Sequence, residues 1–182
     1  MTAALTASRG VIMGEGLPSK LDFLSHHEAG HAAVAFFFGL RLEQVRIEPD
    51  DGSGGMTLAE EAVQKRTDIQ RVLIAMAGGM AERHLDPSCA GQGKEDDGDV
   101  VWAMKPVVAR LNLRLQRRPQ TYIDRIRERM EDRLADRCAR IVKEKWPAIQ
   151  RLAAELARRS NVTPWVELTG GEAERLLADE NQ

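Results

Sequence analysis

The sequence predicts a mainly α-helical fold with one small antiparallel β-sheet, an α+β arrangement. Three observations predict it. Apolar residues recur at helical spacing over long stretches, most clearly from Gln120 to Trp146. One short region, Gln44 to Leu58, instead alternates and turns. At 182 residues the chain can bury a single ordinary core, and its two cysteines suggest no disulfide framework.

Residues Met1 to Leu17 show no sustained apolar period and include three glycines, so a flexible lead-in is expected over 1–18 and a folded domain over 19–182. Ser19 is placed to cap a helix starting near Lys20, with Asp22 in its first turn. Leu21, Leu24, Val34 and Phe38 carry the apolar stripe to a stop at Gly39. Gln44 to Glu48 alternates around Val45 and Ile47 as a strand. The Asp50 to Gly55 cluster then turns the chain toward Met56, Thr57 and Leu58.

Lys65 to Leu85 has the period of a second long helix, in which the Gly78-Gly79 pair permits close contact with a neighbour. Asp86 to Gly98 is a polar loop. A third helix is expected from about Asp99 to Leu115, kinked or split at Pro106, because proline cannot donate the internal bond there. Helices follow over Gln120 to Trp146, Pro147 to Arg159 and Gly171 to Leu177, with Asn161 to Leu168 as a connector.

Charge and composition exclude several classes of partner. The 26 basic residues nearly cancel the 28 acidic ones, and a net charge of −2 gives no general attraction to nucleic acid or a membrane surface. The longest strongly apolar stretch, Ala32 to Leu40, is far short of the ~20 residues of a membrane helix, and the N-terminus lacks the layout of a signal peptide. Cys89 and Cys138 are far apart and read as free thiols, so a cytoplasmic location is expected.

The run His27-Glu28-Ala29-Gly30-His31 fits the H-E-x-x-H pattern. Residues four apart on a helix share a face, so both imidazoles can converge on one zinc ion at ~2.0–2.1 Å. Glu28 is rotated to the side of that pair, where it can take a proton from the water that attacks a carbonyl. Three polar groups inside an otherwise apolar helix need a physical reason, which weighs against chance. His26 points off the metal-binding face and is read as a surface or supporting histidine.

A catalytic zinc normally has three protein ligands and one open position. The extended form with a third histidine is absent, since Val34 and Phe37 stand where its glycine and histidine would be. A carboxylate is the expected substitute: first Asp99, at a helix start, and second Glu82.

The segments His27-Glu28-Ala29-Gly30-His31-Ala32, Val45-Arg46-Ile47-Glu48-Pro49, Gly55-Met56-Thr57, Gly79-Met80-Ala81-Glu82 and Asp99-Val100-Val101-Trp102-Ala103 occur in that order. Together they resemble the peptidase domain of FtsH-type ATP-dependent zinc proteases. The likeness spans roughly Leu21 to Leu177, its helical tail being the least specific part. It implies an HExxH zinc-peptidase helical domain with a Zn2+ cofactor. In that family the third ligand is an aspartate followed by an aliphatic residue and, four positions on, an alanine. Asp99 with Ala103 matches; Asp97, the competing register, is followed by Gly98 and has Val101 at the alanine position. For Glu82 the resemblance implies a structural or ligand-supporting role. Gly55, Met56 and Thr57 correspond to the edge strand beside the family's active site, where a substrate adds as an extended strand; the alternative is an ordinary hairpin strand.

The family's ATPase motor and membrane helices have no counterpart in this chain. Gly14 to Lys20 has Ser19 in place of the second P-loop glycine and is followed by Leu21. Gly93-Lys94 is followed by Glu95, with Ser88 in place of the first glycine. No nucleotide is therefore expected as a partner. The expected partner is a flexible or unfolded polypeptide substrate, with a homo-oligomer or a separate unfoldase left open.

Other features have simpler readings. His84, near a helix end, suits the helix dipole. The Arg-rich stretch Arg110 to Arg140 is interleaved with acids as a solvated face. Trp102, Trp146 and Trp165 read as core or interface aromatics. The leading function is a zinc metalloendopeptidase. The alternatives are a catalytically silent binding or regulatory module of the same fold, or a regulatory protease with one dedicated protein substrate.

Overall fold

A computed structural model of the protein describes residues 17–89, 96–163 and 165–178. The expected lead-in falls almost entirely outside these residues, as do the near-P-loop positions Gly14 and Gly93, and the side chain of Asp97 is outside the description too. The fold is mainly helical with a three-stranded antiparallel sheet, as the sequence predicts.

Helix α1 (Lys20–Phe37) starts where Ser19 caps it: the Ser19 hydroxyl accepts from the Asp22 N–H at 3.2 Å, and the Asp22 carboxylate accepts from the Ser19 N–H at 2.8 Å. Those Ser19 hydrogen bonds hold the Asp22 carboxyl below its usual range. The helix stops at Gly39, whose φ of +68° only glycine adopts freely. Ala29, Ala32, Ala33, Val34 and Ala35 are all buried, so α1 is enclosed nearly all round, packing chiefly on α3 and α6.

Strands β1 (Leu42–Glu48) and β2 (Ser53–Leu58) form an antiparallel hairpin with Val45 opposite Met56, and β3 (Val166–Thr169) pairs with the other side of β1. The order β2-β1-β3 makes β2 an edge strand. The turn is shorter than Asp50 to Gly55, because Ser53, Gly54 and Gly55 already pair with Glu48, Ile47 and Arg46. The expected connector Asn161 to Leu168 contains most of β3, whose buried Val166 and Leu168 lie opposite Ile47 and Val45. Four residues are too few for alternation to register in the sequence.

The helix expected over Lys65 to Leu85 is α3 (Asp68–Leu85), which starts three residues later, and a short helix that was not expected, α2 (Glu60–Lys65), precedes it. Thr67 opens α3 with a second capping box, its hydroxyl accepting from the Gln70 N–H while the Gln70 side chain accepts from the Thr67 N–H. Helix α4 (Asp96–Leu115) continues through Pro106 without splitting. Helices α5 (Gln120–Glu144), α6 (Trp146–Ser160) and α7 (Gly170–Leu177) complete the chain close to their expected bounds. Leu73, Ile149, Leu152, Leu156 and Leu168 are fully buried where α3, α6 and the sheet meet around α1. Cys138 is a buried free thiol that donates to the Leu73 carbonyl at 3.3 Å, and burial pushes it up to about 12. Among the described residues no helix is long and apolar enough to cross a membrane.

Candidate active site

One turn of α1 presents His27 and His31 on the same side, with their Nε2 atoms 3.1 Å apart. Each ring is anchored from behind by α3. His27 Nδ1 lies 2.9 Å from the Glu82 carboxylate, and His31 Nδ1 lies 2.6 Å from the Ile74 carbonyl. A carbonyl only accepts, and so does an ionised carboxylate, so both Nδ1 atoms carry a hydrogen, and in the neutral rings the lone pair is then on Nε2. That tautomer is the one a metal-binding histidine needs. The 3.1 Å spacing is close to the ~3.3 Å edge of a tetrahedron with bonds of ~2.0–2.1 Å. The two imidazoles therefore fit one side of a zinc coordination shell.

Close approach here depends on Gly78. A Cβ at that position would lie 2.5 Å from His27 Nε2 and 2.6 Å from His31 Nε2. Glu28 is 5 % exposed, and its carboxylate lies against β2, where a Cβ on Gly54 would come within 2.6 Å of Oε1. The acid is thus set beside the imidazole pair and shielded by the strand. Both glycines make room for side chains of the His27-to-His31 motif.

These groups line a cleft of about 660 Å³ between β2, α3 and the start of α4. Asp99 lies on its α4 wall and is exposed. Among the described residues no three His, Cys, Asp or Glu side chains close around a common point, so the structure joins the two histidines and leaves Asp99 on the wall. Glu82 bonds the side of the His27 ring remote from Nε2, which suits orienting that ring better than binding the same ion. Gly55 and Met56 line the cleft together with Gly52, Ser53 and Gly54, whereas Thr57 does not.

His26 points elsewhere, as its position before the motif suggests. Its Nδ1 bonds the Asp22 carbonyl at 2.7 Å and its ring stacks on Trp146, with centroids 5.3 Å apart. Burial lowers its pKa, partly offset by the Asp22 carbonyl bond. His84 lies in the last turn of α3, where its ring meets Trp146 edge-on. Trp146 packs against the core, whereas Trp102 and Trp165 are half-exposed.

Sequence reasoning missed Gly54, the Ile74 carbonyl and the side chains Arg66, Arg71 and Trp102, all of which contribute to the site or its cleft. The carbonyl has no signal in the sequence because every residue carries one. Arg71, Ile74, Ala75, Gly78 and Glu82 do share a helical spacing, and that spacing marks the face of α3 turned toward the site.

Residues 16–82 match the model of the Peptidase M50B-like family, a stretch that runs through the motif helix, the hairpin and α3 as far as Glu82. No curated protein matches the chain. The matched stretch, taken with the anchored imidazole pair it contains, supports a metallopeptidase-family domain with a peptidase function and does not single out the FtsH-type family.

Proposed function

We propose that the protein is a zinc-dependent metalloendopeptidase acting on flexible or unfolded polypeptides. The observation that carries this reading is the imidazole pair, with both Nδ1 atoms engaged behind and both Nε2 atoms converging 3.1 Å apart on a cleft. His27 and His31 would hold the ion through Nε2, with Asp99 of α4 as the third ligand. Bound zinc supplies Lewis acidity at a peptide carbonyl and lets a water ionise near neutral pH.

The protein's own groups do the rest. Glu28 takes the proton of the attacking water as the carbon–oxygen bond forms, and passes it to the amine as the carbon–nitrogen bond breaks. Glu82 and the Ile74 carbonyl keep the rings in register. An extended substrate would add to the free edge of β2 through main-chain hydrogen bonds, which makes few demands on side chains. Its delivery rests on the chain's own flexibility or on a separate unfoldase.

Metal analysis paired with hydrolysis of casein or a quenched peptide tests the reading on wild type, Glu28→Gln and Asp99→Ala. Wild type and Glu28→Gln should each hold about one zinc per chain, with only wild type cutting, while Asp99→Ala should lose metal affinity by roughly tenfold or more. A metal-free or inactive wild type would overturn the proposal. Unchanged zinc in Asp99→Ala with loss in Glu82→Ala would move the third ligand to Glu82.

A further inference from the structure

The cleft holds a pair of cations that the hydrolytic chemistry does not use. Arg66 follows the last residue of α2, and Arg71 lies one turn into α3; both line the cleft that contains His27 and Glu28. The Nε atoms of both are buried with no hydrogen-bond partner, and among the described residues neither arginine forms an ion pair. Their nearest acid on α3, Asp68, is engaged by Arg110. Arg158 and Arg159, by contrast, are both matched by Glu155.

Desolvation and the neighbouring Arg71 charge both lower the pKa of Arg66, so two like charges stand together partly out of water. Two like charges so placed favour an added anion, with Glu28, Glu82 and Asp99 on the same cleft lining sharing in offsetting them. The guanidinium of Arg71 also lies 5.0 Å over the Trp102 ring, which holds its plane on the cleft wall. A planar, positioned guanidinium is suited to carboxylate, which its two terminal nitrogens can meet through parallel hydrogen bonds.

We propose that Arg66 and Arg71 form a carboxylate-recognising subsite, so that the cleft prefers polypeptides with an acidic group a few residues from the bond to be cut. This rests on the peptidase reading of the same cleft. The spacing follows from α3: Arg71 is seven residues before Gly78, which touches both imidazoles, and seven residues of helix span ~10 Å. About three residues of extended peptide cover that distance. The carboxylate can belong to an Asp or Glu side chain or to a chain terminus.

The experiment measures binding of labelled, unstructured peptides to Glu28→Gln by fluorescence anisotropy, alongside mapping of casein cleavage sites with wild type. Three versions of one peptide are compared: Glu-containing with an amidated end, Gln-containing with a free end, and Gln-containing with an amidated end. The acidic side-chain peptide should bind about tenfold more tightly than the fully neutral one. The preference should weaken with salt, shrink in Arg71→Lys, and vanish when Arg66→Gln and Arg71→Gln are added to Glu28→Gln. Cleavage sites should show Asp or Glu enriched within three positions on one side.

Preference for the free-end peptide alone would support the subsite and assign it to a terminal carboxylate. Equal binding of all three, no binding of any, or a preference that survives loss of both arginines would overturn it. Acidic preference in binding with no cleavage by wild type would leave the subsite standing and remove the peptidase reading instead.

Discussion

Gly54 and Gly78 leave the space that the Glu28 carboxylate and the His27 and His31 rings occupy. Gly78 lets α3 lie against both imidazole tips, so Gly78→Ala would place a methyl group where the Nε2 atoms converge. We expect Gly78→Ala to keep its helical circular dichroism but lose zinc binding by at least about tenfold in a chelator competition, an effect comparable to losing a ligand-supporting group. Gly54→Ala should behave differently. Its methyl would meet the Glu28 carboxylate instead of the histidines, so zinc should stay bound while turnover falls by about tenfold or more. Equal zinc loss in both variants would show that the two glycines do not divide their roles in this way. At this scale His27, Glu28 and His31 were legible from spacing, because one helix sets their relation. Gly54 was not, because it meets Glu28 only through the hairpin.

At the scale of elements, the contact between α1 and α3 decides how well the site is built. Gly30 lies in the middle of the motif, and a Cβ there would come 2.7 Å from the Ala77 carbonyl oxygen and 2.8 Å from Ala81 Cβ. Since backbone cannot swing aside as a side chain can, Gly30→Ala should destabilise the fold by about 1–3 kcal/mol, read from urea unfolding. It should also weaken zinc binding, because α3 carries Ile74, Gly78 and Glu82 together. Retained stability with normal metal affinity would mean the helices can separate freely. The ends of α1 were legible, since Ser19 with Asp22 and the glycine stop are local signals. Thr67 and Gln70 form the capping box that starts α3 three residues after the expected Lys65, and the six residues of α2 are too few to show a helical period. Strand β3 is a product of pairing with β1.

Across the whole molecule, the C-terminal elements are tied together by charge as well as by apolar packing. Arg159 of α6 bonds Glu155 at 2.8 Å and Glu172 of α7 at 2.9 Å, while Glu172 also caps its helix through Thr169. Hydrogen bonds from Arg158 and Arg159 hold the Glu155 carboxyl at about 2, and those from Arg159 and Thr169 hold Glu172 at about 2, against an ordinary 4.5. A carboxyl with a depressed folded-state pKa binds fewer protons folded than unfolded. Its contribution is therefore present above pH ~4.5 and lost as pH falls through ~2. Arg159→Gln should lower stability at pH 7 by about 0.5–1 kcal/mol, a small figure because the pair meets solvent. The gap from wild type should close between pH 4.5 and 2 in urea midpoints measured across that range. A gap independent of pH would assign the loss to packing of the Arg159 side chain.

What the sequence determined by itself is the chemistry carried within single helices: a pair of imidazoles one turn apart, an acid beside them, and a capped apolar segment to hold all three. Helical geometry relates residues four apart wherever the helix lies, so that much needs no knowledge of the fold. Only the tertiary structure decided which nitrogen of each histidine faces the cleft, because that depends on a carboxylate 55 positions away and on a main-chain carbonyl of α3. It also decided that two arginines share the same cavity as the motif. Such contacts are set by how whole elements pack, and side-chain period along one element carries no record of what another brings against it.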